Sequence, residues 1–263
     1  MSFTRASDLK TEPKKKDVTD DFFSLISRYF SSKNRILHVS GPNMSGKSTL
    51  IKEFIKHDIR DSSRKYFLID SEKKFSKRNY MNEFSTGDQR RIFVNNSDNF
   101  DKIIKTLESL KKDIFPLDPN DILIIDSFSN ILKTEIVNSD DYLDTMKALK
   151  IFSEKIIPGM IDLVVDKKLY VILSHHVTFN PEYQSNIPYY FDLMMTIAGM
   201  WIYLSRTAKD VKDKTFLYDN FLTISFTFTK ENSELKISQT NIRQTYGYTL
   251  KKGKVRVFME ESL

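Results

Sequence analysis

The sequence contains no cysteine, and this absence removes several kinds of chemistry at once. The chain forms no disulfide, no thiolate zinc site and no cysteine nucleophile, which fits a reducing compartment. The longest apolar run, 193–204, is shorter than the roughly 20 residues that a membrane-spanning helix needs. No charged and then apolar signal peptide opens the sequence. We therefore expect a soluble, intracellular protein with no membrane partner.

Glycine is also scarce, at seven of 263 residues, and no linker rich in proline, glycine or serine divides the chain. Since 40% of the residues are hydrophobic, one main domain is the default expectation. Residues 7–20 are polar and charged and predict an exposed linker. We expect residues 1–18 to lie outside a main domain that spans 19–263. The net charge of +6 permits nucleic-acid contact without requiring it.

Short apolar runs alternate with helical periodicities from residue 36 onward. The runs are 36–39, 66–69, 92–94, 122–125 and 169–173. Continuous apolar strands that alternate with amphipathic helices predict an α/β fold with a parallel sheet covered on both faces. A long helix over roughly 141–167 is expected to be interrupted or kinked at Pro158 and Gly159. Strict alternation in 221–228, with further strands at 234–238 and 254–258, predicts antiparallel strands near the C-terminus.

The segment GPNMSGKST is a phosphate-binding motif. Its residues are Gly41, Pro42, Asn43, Met44, Ser45, Gly46, Lys47, Ser48 and Thr49. The two glycines let backbone N–H groups turn toward one anion, Lys47 reaches the β and γ phosphates, and Ser48 offers a hydroxyl to Mg²⁺. The motif follows an apolar strand and begins a helix, as this chemistry requires. The sequence therefore predicts ATP and Mg²⁺ as cofactors.

A bound Mg²⁺ needs an oxygen ligand beyond Ser48 and the phosphates. The segment DILIIDS provides Asp126 at the end of a buried strand, where a Walker B aspartate stands. The letters GPNM-GKST resemble the mismatch-repair ATPase MutS. MutS and its ABC-type relatives place a catalytic glutamate directly after this aspartate, whereas Ser127 follows here. The MutS resemblance is therefore confined to the phosphate loop.

The segment KYFLIDSEKKF places Glu72 just after the next apolar strand. This segment resembles the RecA family, whose recombinases carry Asp-Thr-Glu-Gly-x-Phe at this point. The resemblance implies that Glu72 is the catalytic base. It also implies a RecA-like P-loop NTPase core, with a central, mainly parallel sheet flanked by helices and with antiparallel C-terminal strands. The alternative for Glu72 is an ordinary solvated loop glutamate.

The order of elements from 36 to about 240 is similar to the recombinase core. In LYVILSHHV, His176 stands where recombinases have a glutamine that senses the γ-phosphate, and His175 precedes it. An imidazole could donate to a phosphate oxygen, so the resemblance makes His176 a candidate catalytic residue. A pair of histidines at a strand end is equally a structural feature. Both interpretations remain open at this point.

The N-terminal segment SFTRASDL resembles the Phe-x-x-Ala motif by which recombinases bind a neighbouring protomer. The resemblance implies that Phe3 enters an apolar pocket, that Ala6 enters a small adjoining one, and that the backbone extends a sheet edge. The partner would be a recombinase or another recombinase paralogue. The alternative is a disordered N-terminus.

Other segments depart from the recombinase pattern. The first DNA-loop segment, 132–141, has one lysine against three acids, and the second, 177–199, has two acids and no lysine or arginine. The second segment therefore lacks the cations that hold phosphates. Aromatic residues in 177–199 either stack on bases or pack as an apolar surface. The segment 237–244 replaces the recombinase ATP cap, and the basic clusters 73–78 and 251–256 are either DNA contacts or solvated faces.

A chain with a nucleotide site and a partner-binding segment, but without these DNA loops, resembles the eukaryotic recombinase paralogues. The resemblance implies an ATP-binding subunit, with weak ATPase activity, of a heteromeric complex that assists a recombinase on single-stranded DNA in homologous recombination. It would be nuclear in a eukaryote and cytoplasmic otherwise. One alternative is an active RecA/KaiC-type ATPase with its own DNA or protein substrate. Another is an Elongator-like RecA-fold subunit, which the intact phosphate loop disfavours.

Overall fold

The computed structural model describes residues 15–31, 35–77, 80–181, 185–208, 218–225, 229–231, 234–236, 244–251 and 254–260. The strands in these ranges are β1 (Lys15–Asp17), β2 (Ile36–Gly41), β3 (Tyr66–Asp70), β4 (Ile92–Asn95), β5 (Ile122–Asp126), β6 (Tyr170–Asn180), β7 (Ser185–Pro188), β8 (Met200–Ala208), β9 (Tyr218–Ser225), β10 (Thr229–Glu231), β11 (Glu234–Lys236), β12 (Gln244–Lys251) and β13 (Lys254–Glu260). The α-helices are α1 (Thr19–Ser31), α2 (Lys47–Asp61), α3 (Lys74–Lys77), α4 (Thr86–Gln89), α5 (Phe100–Lys111), α6 (Phe128–Val137), α7 (Tyr142–Ile151), α8 (Ile157–Asp166) and α9 (Phe191–Met195).

One large sheet organises the chain, in the order β1-β13-β12-β9-β8-β2-β6-β5-β3-β4. Strands β8, β2, β6, β5, β3 and β4 are mutually parallel, whereas β9, β12, β13 and β1 continue the sheet with antiparallel pairing. Every residue of β2, β3 and β5 is buried, as expected for parallel strands covered on both faces. The predicted α/β fold, with its mainly parallel sheet and antiparallel C-terminal strands, is confirmed.

Two apolar clusters cover the two faces of the sheet. On one face, α1 and α2 contribute Phe22, Ile26 and Phe54 to a cluster that includes Leu37 and Leu68. On the other face, α5, α6 and α8 pack their apolar sides against alternate residues of the same strands. Burial of each large apolar side chain stabilises the fold by about 1.5–3 kcal/mol. These two layers fix the ends of β2, β3 and β5 relative to one another.

The predicted long helix is interrupted ahead of Pro158 rather than at it. Helices α7 and α8 are joined by a π-helical turn, Phe152–Ile156, which lies just before Pro158. Proline has no N–H with which to donate to the carbonyl four residues earlier, and a π turn is one way to accommodate that loss. The helix therefore widens ahead of the proline.

Two further segments differ from expectation. The end of the predicted N-terminal linker is a strand, since Lys15–Asp17 pairs antiparallel with β13. Strand β6 continues past the predicted 169–173 to Asn180, because its last residues pair with β7 in an antiparallel hairpin. His176 lies opposite Gly41, where pairing with β2 ends, and Val177 begins the hairpin. The two histidines therefore lie within a strand.

Candidate functional site

The phosphate loop connects β2 to α2 and has the backbone shape that the motif predicts. Gly46, the residue before α2, has φ 97°, a left-handed conformation that glycine adopts without steric cost. The first N–H groups of a helix lack acceptors within the helix, and its dipole places partial positive charge at this end. The start of the 15-residue helix α2 is therefore suited to an anion.

Lys47 lies folded back on this loop. Its Nζ donates to the carbonyl oxygens of Gly41, at 2.8 Å, and Pro42, at 2.9 Å. Burial lowers the pKa of the Lys47 ammonium to about 8, and the nearby charge of Lys74 adds to that shift, while the carboxylates of Asp126 and Glu72 act in the opposite direction. A bound anion would compete for this ammonium and favour its charged form.

Asp126 ends β5 and is completely buried. One carboxylate oxygen, Oδ1, accepts a short hydrogen bond from the hydroxyl of Ser174. Within the described residues, the other oxygen, Oδ2, is buried without a hydrogen-bond partner. An unpaired buried carboxylate oxygen is costly, and it is the kind of ligand that a hydrated Mg²⁺ takes. Together with the buried hydroxyl-bearing Ser48, this aspartate fits the predicted metal site.

No described group of three histidine and acidic side chains could hold a metal ion by itself. A Mg²⁺ site does not need such a group, because Mg²⁺ keeps several waters and takes one or two protein ligands beside the phosphates of its substrate. Ser48 and Asp126 are therefore the residues that would hold it, with the remaining ligands coming from nucleotide and water.

Glu72 follows β3 and is held from two sides. Its Oε1 lies 2.5 Å from Nε2 of His176, and its Oε2 forms a close ion pair with Lys74. Burial acts to raise the pKa of Glu72, but the hydrogen bonds and charges of His176 and Lys74 outweigh it and lower the pKa to about 2. Glu72 is therefore a carboxylate at neutral pH, with both oxygens engaged.

The turn that carries Glu72 is fixed by polar contacts from the adjacent strand ends. The carboxylate of Asp70 accepts hydrogen bonds from the backbone N–H groups of Lys74 and Phe75, at 2.9 and 2.8 Å. The backbone N–H of Ser71 donates to the carbonyl of Asp126 at 2.7 Å. The backbone N–H of Ser127 donates to the Ser71 hydroxyl at 2.8 Å. The ends of β3 and β5 are thus joined, which holds Glu72 in a defined position.

Several of these groups line one open cavity of about 370 Å³. Its lining residues are Asn43, Met44, Gly46, Lys47, Ser48, Glu72 and Lys74. The volume lies within the roughly 300–1,000 Å³ of small-molecule sites. Lys47, Ser48 and Glu72, which the sequence assigned to three different roles, therefore meet at one cavity.

The remaining predicted residues lie around or away from this cavity. Gly41 and Pro42 bind Lys47 through their carbonyls, and His176 contacts the cavity through Glu72. The Thr49 hydroxyl lies 3.2 Å from the hydroxyl of Tyr80, and both side chains are buried. Ser45 is also buried. Phe3 and Ala6 lie outside the described residues.

The two adjacent histidines have separate environments. His176 faces Glu72, whereas the completely buried His175 places its Nε2 2.9 Å from Nδ1 of His38. Trp201 stacks on His38 with a centroid distance of 4.0 Å, and Nε2 of His38 lies 3.1 Å from the carbonyl oxygen of Ile197. The histidine pair was interpreted either as a phosphate contact or as a structural feature. The contacts of His175 fit the structural interpretation.

The two segments that correspond by position to the recombinase DNA loops are partly helix and strand. Residues 132–137 complete α6, and Asp141 caps α7 by accepting from the N–H of Asp144 at 2.8 Å. The second segment forms the end of β6, then β7 and α9. The ammonium of Lys133 lies 4.4 Å from the ring centroid of Tyr189 and donates to its hydroxyl at 3.1 Å. Most of the 237–244 segment lies outside the described residues.

Sequence reasoning missed two groups at the site. Lys74 was assigned to a basic cluster, yet it lines the cavity and pairs with Glu72. The position of Lys74, two residues after Glu72 in SEKKF, could have indicated that it lies near that carboxylate. Ser174, which binds Asp126, directly precedes the histidine pair on the strand next to β5, so strand order would have placed it there.

Comparison with known proteins supports the fold. A solved structure of a KaiC-like protein from the hyperthermophilic archaeon Pyrococcus horikoshii matches 85% of this chain and 88% of its own, with a TM-score of 0.52 and 15% sequence identity. At this identity the match establishes a RecA-like fold and nothing finer. No family model matches the sequence, and no curated protein matches it. Among the described residues, no helix is long and apolar enough to cross a membrane.

Proposed function

We propose that this chain binds ATP with Mg²⁺ in the 370 Å³ cavity and hydrolyses it slowly. The observation that carries the proposal is the meeting of Lys47, Ser48 and Glu72 at one cavity. The charge of Asp126 acts on Lys47, and its Oδ2 is buried with no hydrogen-bond partner among the described residues. The ammonium and the start of α2 would bind the phosphates. Bound Mg²⁺ would neutralise charge on the phosphate oxygens.

In this proposal, Glu72 acts on an attacking water. The water oxygen would bond to the γ-phosphorus as the bond from that phosphorus to the bridging oxygen breaks. ADP would leave with the bonding electron pair, and Glu72 would accept the proton of the water. A carboxylate with a pKa near 2 is a weak base at neutral pH, and both its oxygens already have partners. Slow turnover follows from the weak basicity of this carboxylate.

Equilibrium binding of Mg-ATP tests the nucleotide site. Lys47→Ala should weaken binding by about 10–100-fold, because it removes a charge-assisted contact to phosphate. Lys56→Ala is the matched control, since Lys56 lies on the same helix and pairs with Glu83 outside the cavity. Glu72→Gln should retain binding and lose turnover by about 10²–10⁴-fold. Equal affinity of Lys47→Ala and the unmodified protein would refute the site.

The more specific proposal is that this ATP-binding chain is a recombinase-paralogue subunit of a heteromeric complex on single-stranded DNA. The order of its elements and the Phe3–Ala6 segment support this role. Strand β4 also supports it, since this outermost strand of the sheet exposes Phe93 by 39% and Val94 by 36%. An exposed edge of this kind can accept a strand from a neighbouring subunit.

An autonomous KaiC-type ATPase is the second candidate, and the presence of Glu72 in the cavity favours it. The two functions give different results in a co-purification experiment with and without ATP. Negligible hydrolysis by the isolated chain, together with release of a bound recombinase or paralogue by Phe3→Glu, supports the subunit role. DNA-stimulated turnover that Lys47→Ala abolishes, with any complex left intact, supports the autonomous enzyme.

A further inference from the structure

The phosphate cavity contains a second ammonium group. Lys74 lines the cavity together with Lys47, and the charge of Lys74 contributes to the lowered pKa of Lys47. Two cations that face one small cavity repel each other, and an anion bound between them offsets that repulsion. The second cation therefore adds to the attraction for a highly charged ligand.

The two lysines are held differently. Two backbone carbonyls of the phosphate loop accept from Lys47. Lys74 instead forms its ion pair with the side chain of Glu72, and its own side chain remains 24% exposed. The backbone of Lys74 is fixed by Asp70, at 2.9 Å, so the side chain can change partner without movement of the turn.

We propose that Lys74 binds the terminal phosphate of a nucleoside triphosphate and so distinguishes triphosphate from diphosphate. This inference rests on the proposed nucleotide function. Phosphate oxygens would replace Oε2 of Glu72 as the acceptor for the Lys74 ammonium. The same exchange frees Oε2 to accept a proton from water, while Oε1 keeps its contact with His176. Occupancy by triphosphate thereby prepares the base, whereas diphosphate leaves the Glu72–Lys74 pair in place.

Lys73 provides a matched control for this proposal. It is adjacent in sequence and carries the same charge, but its side chain is 49% exposed and its Nζ lies 3.4 Å from Asp98. A general effect of positive charge would appear in variants of both lysines. A specific contact with the terminal phosphate would appear in variants of Lys74 alone.

The experiment measures the Kd values of Mg-ADP and of the Mg-bound β,γ-imido analogue of ATP. Lys74→Gln should weaken binding of the ATP analogue about tenfold and change that of ADP less than twofold, because only the terminal contact is lost. Lys73→Gln should leave both constants unchanged. Lys74→Arg, which keeps the charge, should restore most of the preference. Thermal unfolding without nucleotide should show that Lys74→Gln is folded.

The outcomes separate this inference from the function on which it rests. An unchanged ratio of the two Kd values in Lys74→Gln, or an equal loss for both nucleotides, would overturn the role of Lys74 alone. An equal change in Lys73→Gln would do the same. Absence of saturable nucleotide binding by the unmodified protein would overturn the proposed function itself.

Discussion

Binding of Mg-ATP should be accompanied by uptake of a proton, because the pKa of Lys47 lies at about 8 before nucleotide binds. At pH 8, about half of the Lys47 side chains are neutral, and at pH 7 about a tenth are. A bound triphosphate raises this pKa and fixes the ammonium form. Uptake should therefore be about 0.5 proton per nucleotide at pH 8 and about 0.1 at pH 7. Above pH 8, affinity should fall about tenfold per pH unit.

Titration calorimetry in buffers with different ionisation enthalpies measures this uptake directly. At pH 8 the terminal phosphate of the nucleotide is ionised, since its second pKa is near 6, so it contributes little. Lys47→Arg is the matched control, because a guanidinium stays protonated throughout this range. Loss of the uptake in this variant is expected. Zero uptake by the unmodified protein at pH 8, or equal uptake by Lys47→Arg, would refute the reasoning.

Two further predictions concern the core beside the site. Burial lowers the pKa of His38 from 6.5 to about 3 and lowers that of His175, so both are neutral in the fold and the unfolded chain binds the protons. As the pH is lowered from 6.5, the free energy of unfolding should therefore decrease by up to about 1.4 kcal/mol per pH unit for each histidine. Urea midpoints measured at pH 7 and pH 5 test this, and equal midpoints would contradict the buried neutral pair. Gly199→Ala should destabilise the fold by about 1–3 kcal/mol, because a Cβ there would lie 2.6 Å from the Ile36 carbonyl oxygen. Gly159→Ala in α8 should be neutral or stabilising by up to about 1 kcal/mol, since a Cβ there would lie an ordinary 3.6 Å from the Leu107 side chain. Equal losses of thermal stability in Gly199→Ala and Gly159→Ala would contradict this difference in packing.

The parallel sheet and the approach of Glu72 to Lys47 were predictable for physical reasons. Continuous apolar runs identified β2, β3 and β5, since strands buried on both faces have no polar alternation. The carboxyl ends of parallel strands meet at one sheet edge, which predicted that Glu72 would approach Lys47. The structure brings both residues to one cavity.

Other features depend on local geometry that the sequence pattern does not encode. Lys73 has φ 56°, a left-handed conformation that is uncommon for a residue with a side chain, and the turn through it brings Lys74 to the cavity. The separation of His175 from His176 follows from the alternation of a strand, but it was predictable only once β6 was known to continue through both. Pro158 predicts an interruption of the helix, but periodicity alone does not locate the π turn that precedes it.

The most direct test of the central claim is a titration with Mn²⁺, which prefers the same oxygen ligands as Mg²⁺ and is visible by electron paramagnetic resonance. With the β,γ-imido analogue of ATP present, the unmodified protein should bind one Mn²⁺ per chain more tightly than the free nucleotide does. Asp126→Asn should weaken that binding about tenfold, whereas Asp162→Asn, which changes an acid paired with Lys111, should not. Equal Mn²⁺ affinity in the unmodified protein and Asp126→Asn would contradict a metal and triphosphate bound together at this cavity.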